Sequence, residues 1–203
     1  NIGVVNRFNT AVNHIKEMIS AGELGNVYHI YCSFRAHRSI PGLGGWFTNK
    51  SMSGGGVLID WGVHFLDLIF YCINPDKALT VSANTYSELA KDKKEYTFVD
   101  MWAGPPDYSG IYDVEEFVTG LIRTTGPAIS LNGAWAQNIA ESAMFVEFMG
   151  DKGGIKLQYG GDFKVYTSRN GILYETAPSF HKGNMFYDEI DNFLKSSAAN
   201  RKD

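Results

Sequence analysis

Ser53-Gly54-Gly55-Gly56-Val57-Leu58-Ile59-Asp60-Trp61-Gly62-Val63-His64-Phe65-Leu66-Asp67-Leu68-Ile69-Phe70-Tyr71-Cys72 runs three glycines into an apolar segment that carries Asp60, His64, Asp67 and Tyr71 at intervals of four, three and four. At about 3.6 residues per turn these four positions fall within roughly 60° of one another, so the spacing predicts a helix with one polar stripe along a greasy rod. Charged groups are rarely buried alone. Asp60 is therefore expected to accept a hydrogen bond from His64 one turn later, fixing the imidazole tautomer and turning its other nitrogen outward. A histidine oriented by a carboxylate serves as a general base near neutral pH. The plainer alternative has Asp60 capping or salt-linking a neighbouring loop and His64 as a satisfied core histidine.

The segments around this rod set its context. Asn1 to Asn6 reads as a short apolar strand. Val12, Ile15, Met18 and Ile19 recur at helical intervals and predict a helix over about Thr10 to Ala21, closed by Gly22 and Gly25. Asn26 to Arg38 alternates, with Tyr28, Ile30, Cys32, Phe34 and Ala36 on one face and His29, Tyr31, Ser33, Arg35 and His37 on the other, which predicts a long strand whose second face is solvated or lies against a partner. Ser39 to Ser53 is a long glycine-rich loop of the kind that carries function. Past the rod, Asn74-Pro75 ends the helix and Leu79 to Ser87 resumes strand alternation; Leu89 to Tyr112 reads as a surface excursion. Strands follow over Val114–Thr124, Ala128–Gln137, Ala143–Met149 and Gly154–Gln158. A hairpin joins Phe163–Thr167 to Ile172–Glu175 through Asn170-Gly171, and an amphipathic helix over Phe186–Leu194 ends the pattern. The expected fold is α+β: an open, predominantly antiparallel sheet with the helices on one face.

Composition narrows the function. Hydrophobic residues make up 44% and charged residues 20% of 203, the profile of a soluble globular chain long enough to bury a sizeable core. A net charge of -4, with one short charge cluster at Lys91–Lys94, excludes a nucleic-acid footprint. Cys32 and Cys72 lack metal-ligand spacing and read as reduced core thiols, and the five histidines form no close pair, so no metal site is expected. The chain shows no signal peptide or lipidation motif. Its longest apolar run is the central rod, whose ionisable stripe argues against a membrane span, and the cytoplasm is the default location. Nor does it contain GxGxxG, a P-loop, HExxH or GxSxG.

Several stretches in order carry a resemblance: Asn6-Arg7-Phe8, Gly22-Glu23-Leu24-Gly25, Gly44-Gly45-Trp46, Gly54-Gly55-Gly56, Asp60-Trp61-Gly62-Val63-His64, Asp113-Val114-Glu115-Glu116-Phe117 and Gly150-Asp151-Lys152-Gly153-Gly154. Together they resemble the C-terminal domain of the glucose-fructose oxidoreductase and inositol dehydrogenase family, Gfo/Idh/MocA. The resemblance implies an oxidoreductase in which a sugar, polyol or related hydroxyl gives hydride to NAD or NADP, with His64 taking the hydroxyl proton and Asp60 orienting it. It implies that Asp67 holds a substrate hydroxyl and that Trp46, His37 and Arg38 border the pocket, although Trp46 could equally be a core anchor. Residues 1–8 would be the last strand of, or crossover from, a nucleotide-binding half, which sets Asn6 and Arg7 beside the cofactor; residues 9–203 would be the substrate-binding and oligomerisation domain. The family's Rossmann domain, which holds most of the cofactor, is absent from this sequence, and the chain is expected to be an inactive fragment on its own. The resemblance also implies a homo-oligomer formed through the open sheet face. A different reading is a non-catalytic ligand-binding or assembly module of the same fold.

Overall fold

Alternating apolar residues in β1 (Val27–Arg35) place Ile30, Cys32 and Phe34 on a fully buried face, and this strand is the axis of the fold. The computed structural model describes residues 3–199. Helix α1 (Thr10–Ser20) precedes β1; α2 (Lys50–Ser53) and α3 (Val63–Cys72) follow it. Seven further strands complete the sheet: β2 (Ala78–Tyr86), β3 (Phe117–Thr124), β4 (Ala128–Ala134), β5 (Ala143–Gly150), β6 (Gly153–Gln158), β7 (Phe163–Arg169) and β8 (Ile172–Thr176). Helix α4 (Met185–Ala198) comes last. The strands lie in the order β2-β3-β4-β1-β5-β6-β7-β8. β1 pairs parallel with β4 and antiparallel with β5, and the other neighbours are antiparallel. Short turns allow the antiparallel pairs, whereas the single parallel pair needs the long crossover through α3 and β2. This is the expected open, mainly antiparallel α+β sheet.

Helices α1 and α3 cover one face of it. Val12 and Ile15 of α1 and Phe65, Leu68 and Ile69 of α3 join Ile30, Ile129, Val146 and Phe148 of the sheet in one apolar core. Phe34 stacks on Phe65 at 5.0 Å between centroids, and Phe65 stacks on Tyr159 at 4.3 Å. Cys32 and Cys72 are free and buried, and burial raises both thiols, that of Cys72 to about 12, so both are the inert core groups expected. At the β7–β8 hairpin Asn170 and Gly171 both have positive φ (52° and 74°) between the paired Arg169 and Ile172, the geometry that an Asn-Gly turn favours.

Four expectations are corrected. Residues 3–6 form no strand: with no neighbouring strand to bond, the chain closes a 3-10 turn, Val5–Phe8, while Asn1 and Ile2 lie outside the described residues. Tyr28 does not share the buried face, because a bulge between Val27 and His29 turns it out to 57% exposure. The 89–112 tract is more than a surface excursion. It buries Ala90 and Tyr96 and bonds back along the 38–43 loop, Val99 N–H donating to Arg38 O (2.9 Å) and Asp107 N–H to Leu43 O (2.7 Å). Finally, α4 covers no sheet face; it lies against the Val5–Phe8 turn, and Phe186, Ile190, Phe193 and Leu194 remain exposed. The helical run Lys50–Cys72 does have the length and hydropathy of a membrane span, but here it is broken at Gly54 (φ 84°) and its Phe65, Leu68 and Ile69 side is core.

Gly133 of β4 leaves room for Phe34: a Cβ there would meet the Phe34 ring at 1.7 Å, and Phe34 is wholly buried. Gly133→Ala should therefore cost about 3 kcal/mol in urea unfolding, and Phe34→Leu in the same chain should restore part of it. A neutral Gly133→Ala would contradict this packing.

Candidate active site

The glycine triplet works by close approach. Gly54 ends α2 in the left-handed region, and a Cβ on Gly56 would sit 1.9 Å from the Glu115 carbonyl oxygen, so only glycine lets the chain pass there. Glu115 then caps the helical run that begins beyond it. Its carbonyl accepts from Val57 N–H (3.0 Å), and its Oε1 accepts from Gly56 N–H (3.0 Å) and Leu58 N–H (3.3 Å).

The first turns of this run are not α-helical. Leu58–Gly62 forms a π-turn before α3, and this wider turn carries Asp60 out of the simple four-residue register with His64. Asp60 Oδ2 instead accepts the indole N–H of the fully buried Trp135, at 2.9 Å. The expected Asp60–His64 hydrogen bond is thus not made. His64 is half-buried, and its Nδ1 is buried without a partner among the described residues. Burial pushes the Asp60 carboxyl above its usual range, while the Trp135 bond and the nearby His64 ring pull the other way.

The rest of the stripe is already engaged. Asp67 is clasped by Arg7, whose Nη2 and Nε donate to its two oxygens at 2.6 and 3.0 Å, rather than standing free for a hydroxyl. Tyr71 donates its hydroxyl to Asn13 of α1 (2.8 Å) and carries the Lys16 ammonium over its ring at 3.6 Å. The buried Asn6 donates to the Tyr159 hydroxyl (3.2 Å), so Asn6 and Arg7 are both fastened to this end of the molecule.

His37 and Arg38 sit beyond the end of β1 on the 137–142 loop. His37 N–H donates to Ser142 Oγ (3.2 Å), and Arg38 donates to Asn138 Oδ1 (2.6 Å). Trp46 is 52% exposed, edge-on to Phe47, and is no core anchor. No hydrogen bond joins these three to Asp60 or His64 among the described residues. Trp135 and Tyr159 are the residues missed from sequence. Each is an aromatic within or beside a strand, and only the sheet order brings it to the rod.

Known proteins bear on this arrangement. The family model of the GFO/IDH/MocA C-terminal domain matches residues 12–156. D-glucoside 3-dehydrogenase of Escherichia coli (strain K12) is 34% identical over 169 residues, 82% of this chain and 45% of that protein. An oxidoreductase domain protein from Kribbella flavida superposes with a TM-score of 0.76 at 15% identity, over 98% of this chain and 56% of that one. Levoglucosan dehydrogenase in complex with NADH and levoglucosan gives a TM-score of 0.69 at 19% identity, over 88% and 46% of the two chains. At such identities the two structures speak for the fold. The chain spans about half the length of each of these relatives.

Because the folded chain holds the Asp60 proton to higher pH than an unfolded aspartate does (3.8), this residue's share of stability falls as pH rises from there through the folded-state value. Trp135→Phe removes the donor that opposes this shift. Asp60 should then titrate higher still, read from its carboxyl 13C resonance, and an unmoved or lower midpoint would contradict the bond.

Proposed function

The chain belongs to the GFO/IDH/MocA family through its C-terminal domain, and from that premise we propose that it is the substrate part of an oxidoreductase moving hydride between a sugar or polyol hydroxyl and NAD or NADP. The observation that carries this reading is the unpartnered Nδ1 of His64 beside a carboxylate anchored from behind by Trp135. With Nδ1 sealed inside, the half-buried ring takes the hydroxyl proton on Nε2, and Asp60 stabilises the positive charge the ring then acquires. The name of the Escherichia coli relative and the NADH and sugar named with levoglucosan dehydrogenase support the substrate and cofactor classes.

In this reading residues 9–203 are the substrate-binding and oligomerisation domain and residues 1–8 the crossover from a nucleotide-binding half. The described residues offer no glycine-rich phosphate cradle, so the dinucleotide is held mainly elsewhere in the longer protein, with Asn6 and Arg7 on the edge set beside it. When bound, the nicotinamide supplies the hydride acceptor. This chain's share is the proton: as the C–H hydride leaves the carbinol carbon, the O–H proton passes to His64. Asp67 is proposed to meet a second hydroxyl, which requires Arg7 to release one of the two oxygens it now holds, and Trp46, His37 and Arg38 are proposed to border the pocket.

Self-association belongs to the same proposal. Tyr31, Phe145, Met149 and Tyr166 share the sheet face opposite α1 and α3, as their register requires, and β2 is exposed along its whole length. Light scattering should find a dimer or larger species that Tyr31→Arg with Phe145→Arg dissociates. A strict monomer before substitution would contradict the interface.

In the full-length protein, His64→Ala should lower kcat about 10²–10⁴-fold and leave the dissociation constant of the dinucleotide unchanged. An unaltered turnover would remove His64 from the chemistry.

A further inference from the structure

The sequence holds Asn-Gly twice, at Asn132-Gly133 and at Asn170-Gly171, and the fold gives the two pairs opposite surroundings. Asn132-Gly133 belongs to β4, which is paired with β1 on one side and with β3 on the other. Gly133 is buried, and the Phe34 ring fills the space where a side chain would be. Asn170-Gly171 is the two-residue turn between the paired Arg169 and Ile172. Both of its residues are exposed and have positive φ, and a Cβ on Gly171 would meet nothing within 4 Å. The Gly171 N–H makes no hydrogen bond among the described residues. The turn also projects past the neighbouring strand: β6 leaves β7 at the pair Gly153–Thr167, and Ser168 and Arg169 are paired with β8 alone. Its tip therefore stands off the end of the sheet and not over the face that a second copy is proposed to cover.

An asparagine followed by glycine carries the groups for its own modification. The backbone nitrogen of the glycine attacks Cγ of the preceding side-chain amide. The N–Cγ bond forms, the Cγ–Nδ2 bond breaks, and the proton lost from the glycine nitrogen leaves with Nδ2 as ammonia, so that a five-membered succinimide remains. Water then opens the ring at one of its two carbonyls. Cleavage of the N–Cγ bond gives aspartate, and cleavage of the backbone C–N bond gives isoaspartate. Glycine favours the attack because no side chain shields its nitrogen. A nitrogen whose N–H is held in a ladder must first be released by local opening. At Gly133 two neighbouring strands oppose that release, and at Gly171 none does.

We propose that Asn170 is a site of spontaneous deamidation, and that Asn132, in the same dipeptide, is protected by the fold. The product is a new carboxylate at the hairpin tip and, in the isoaspartate form, one additional backbone carbon. A primed turn matches the strand twist with two residues of positive φ. The lengthened chain loses that match, so the Arg169–Ile172 pairing loosens, at the start of an edge strand that is exposed along its whole length. The site stands or falls independently of the hydride-transfer reading.

The test incubates the whole chain in mildly alkaline buffer, where more of the attacking nitrogen is deprotonated, and follows both dipeptides by peptide mapping and mass spectrometry beside a free peptide of residues 168–173. Succinimide, isoaspartate and aspartate should accumulate at Asn170 at least about tenfold faster than at Asn132, and in concentrated urea the two should convert alike. Amide exchange of Ile172 should quicken in the isoaspartate form and stay unchanged in incubated Asn170→Gly, which keeps a residue suited to the turn and cannot cyclise. The proposal is overturned if Asn170 stays intact while the free peptide is consumed, if Asn132 converts as fast in the folded chain, or if the difference between the two persists in urea. Unchanged Ile172 exchange in the isoaspartate form would remove the effect on the hairpin.

Discussion

Glu115 closes the start of the central helical run from three directions at once, its carbonyl taking the Val57 N–H and its carboxylate those of Gly56 and Leu58. The contact requires backbone to touch backbone, which is why Gly56 carries no side chain. It also ties the rod to the segment leading into β3, and so fixes the rod against the sheet before any core side chain is counted. The next residue, Glu116, receives the Trp135 N–H on its carbonyl (2.9 Å), and Trp135 in turn holds Asp60. One short stretch, Glu115-Glu116, therefore positions both the helix and the tryptophan that meets it.

The site follows from that geometry. With an uninterrupted α-helix Asp60 and His64 would stand one turn apart and bond each other. The π-turn hands Asp60 to Trp135 and leaves the His64 Nδ1 without a partner. An unmet polar atom in a packed region is costly, and such a cost is more often retained at functional positions than elsewhere. Farther along, Arg7 on Asp67 binds the start of the described chain to the same rod, and Asn6 binds it to Tyr159, just past β6. Asn6 and Arg7, proposed to flank the cofactor, and Asp67, proposed to meet the substrate, are thus fastened at one end of the molecule.

Local pattern made much of this legible. The alternation in β1 and the spacing of Val12, Ile15 and Ile19 gave element bounds within a few residues, and Asn170-Gly171 marked its hairpin, because periods of two and 3.6 are properties of neighbouring residues. The π-turn was hidden, since nothing in Leu58-Ile59-Asp60-Trp61-Gly62 distinguishes it from an α-helix until Glu115 and Trp135 arrive from distant parts of the chain. The same limit applies to α4. Its amphipathic pattern was plain, but a pattern states that an apolar stripe exists and not what it meets, and Phe186, Ile190 and Phe193 meet no sheet. Asp67 is a further case: a carboxylate on a polar stripe looks available until a guanidinium 60 residues away takes it.

Under the proposed function the His64 ring takes a proton while Asp60 is held by Trp135. Ring 15N spectra of His64 and the indole 15N–H of Trp135, recorded on the full-length protein with NAD and with or without methyl glucoside, test it most directly. The account predicts that the Trp135 signal keeps its hydrogen-bonded position while the His64 nitrogens shift on adding the sugar. A His64 ring bonded to Asp60 and indifferent to the sugar would contradict it.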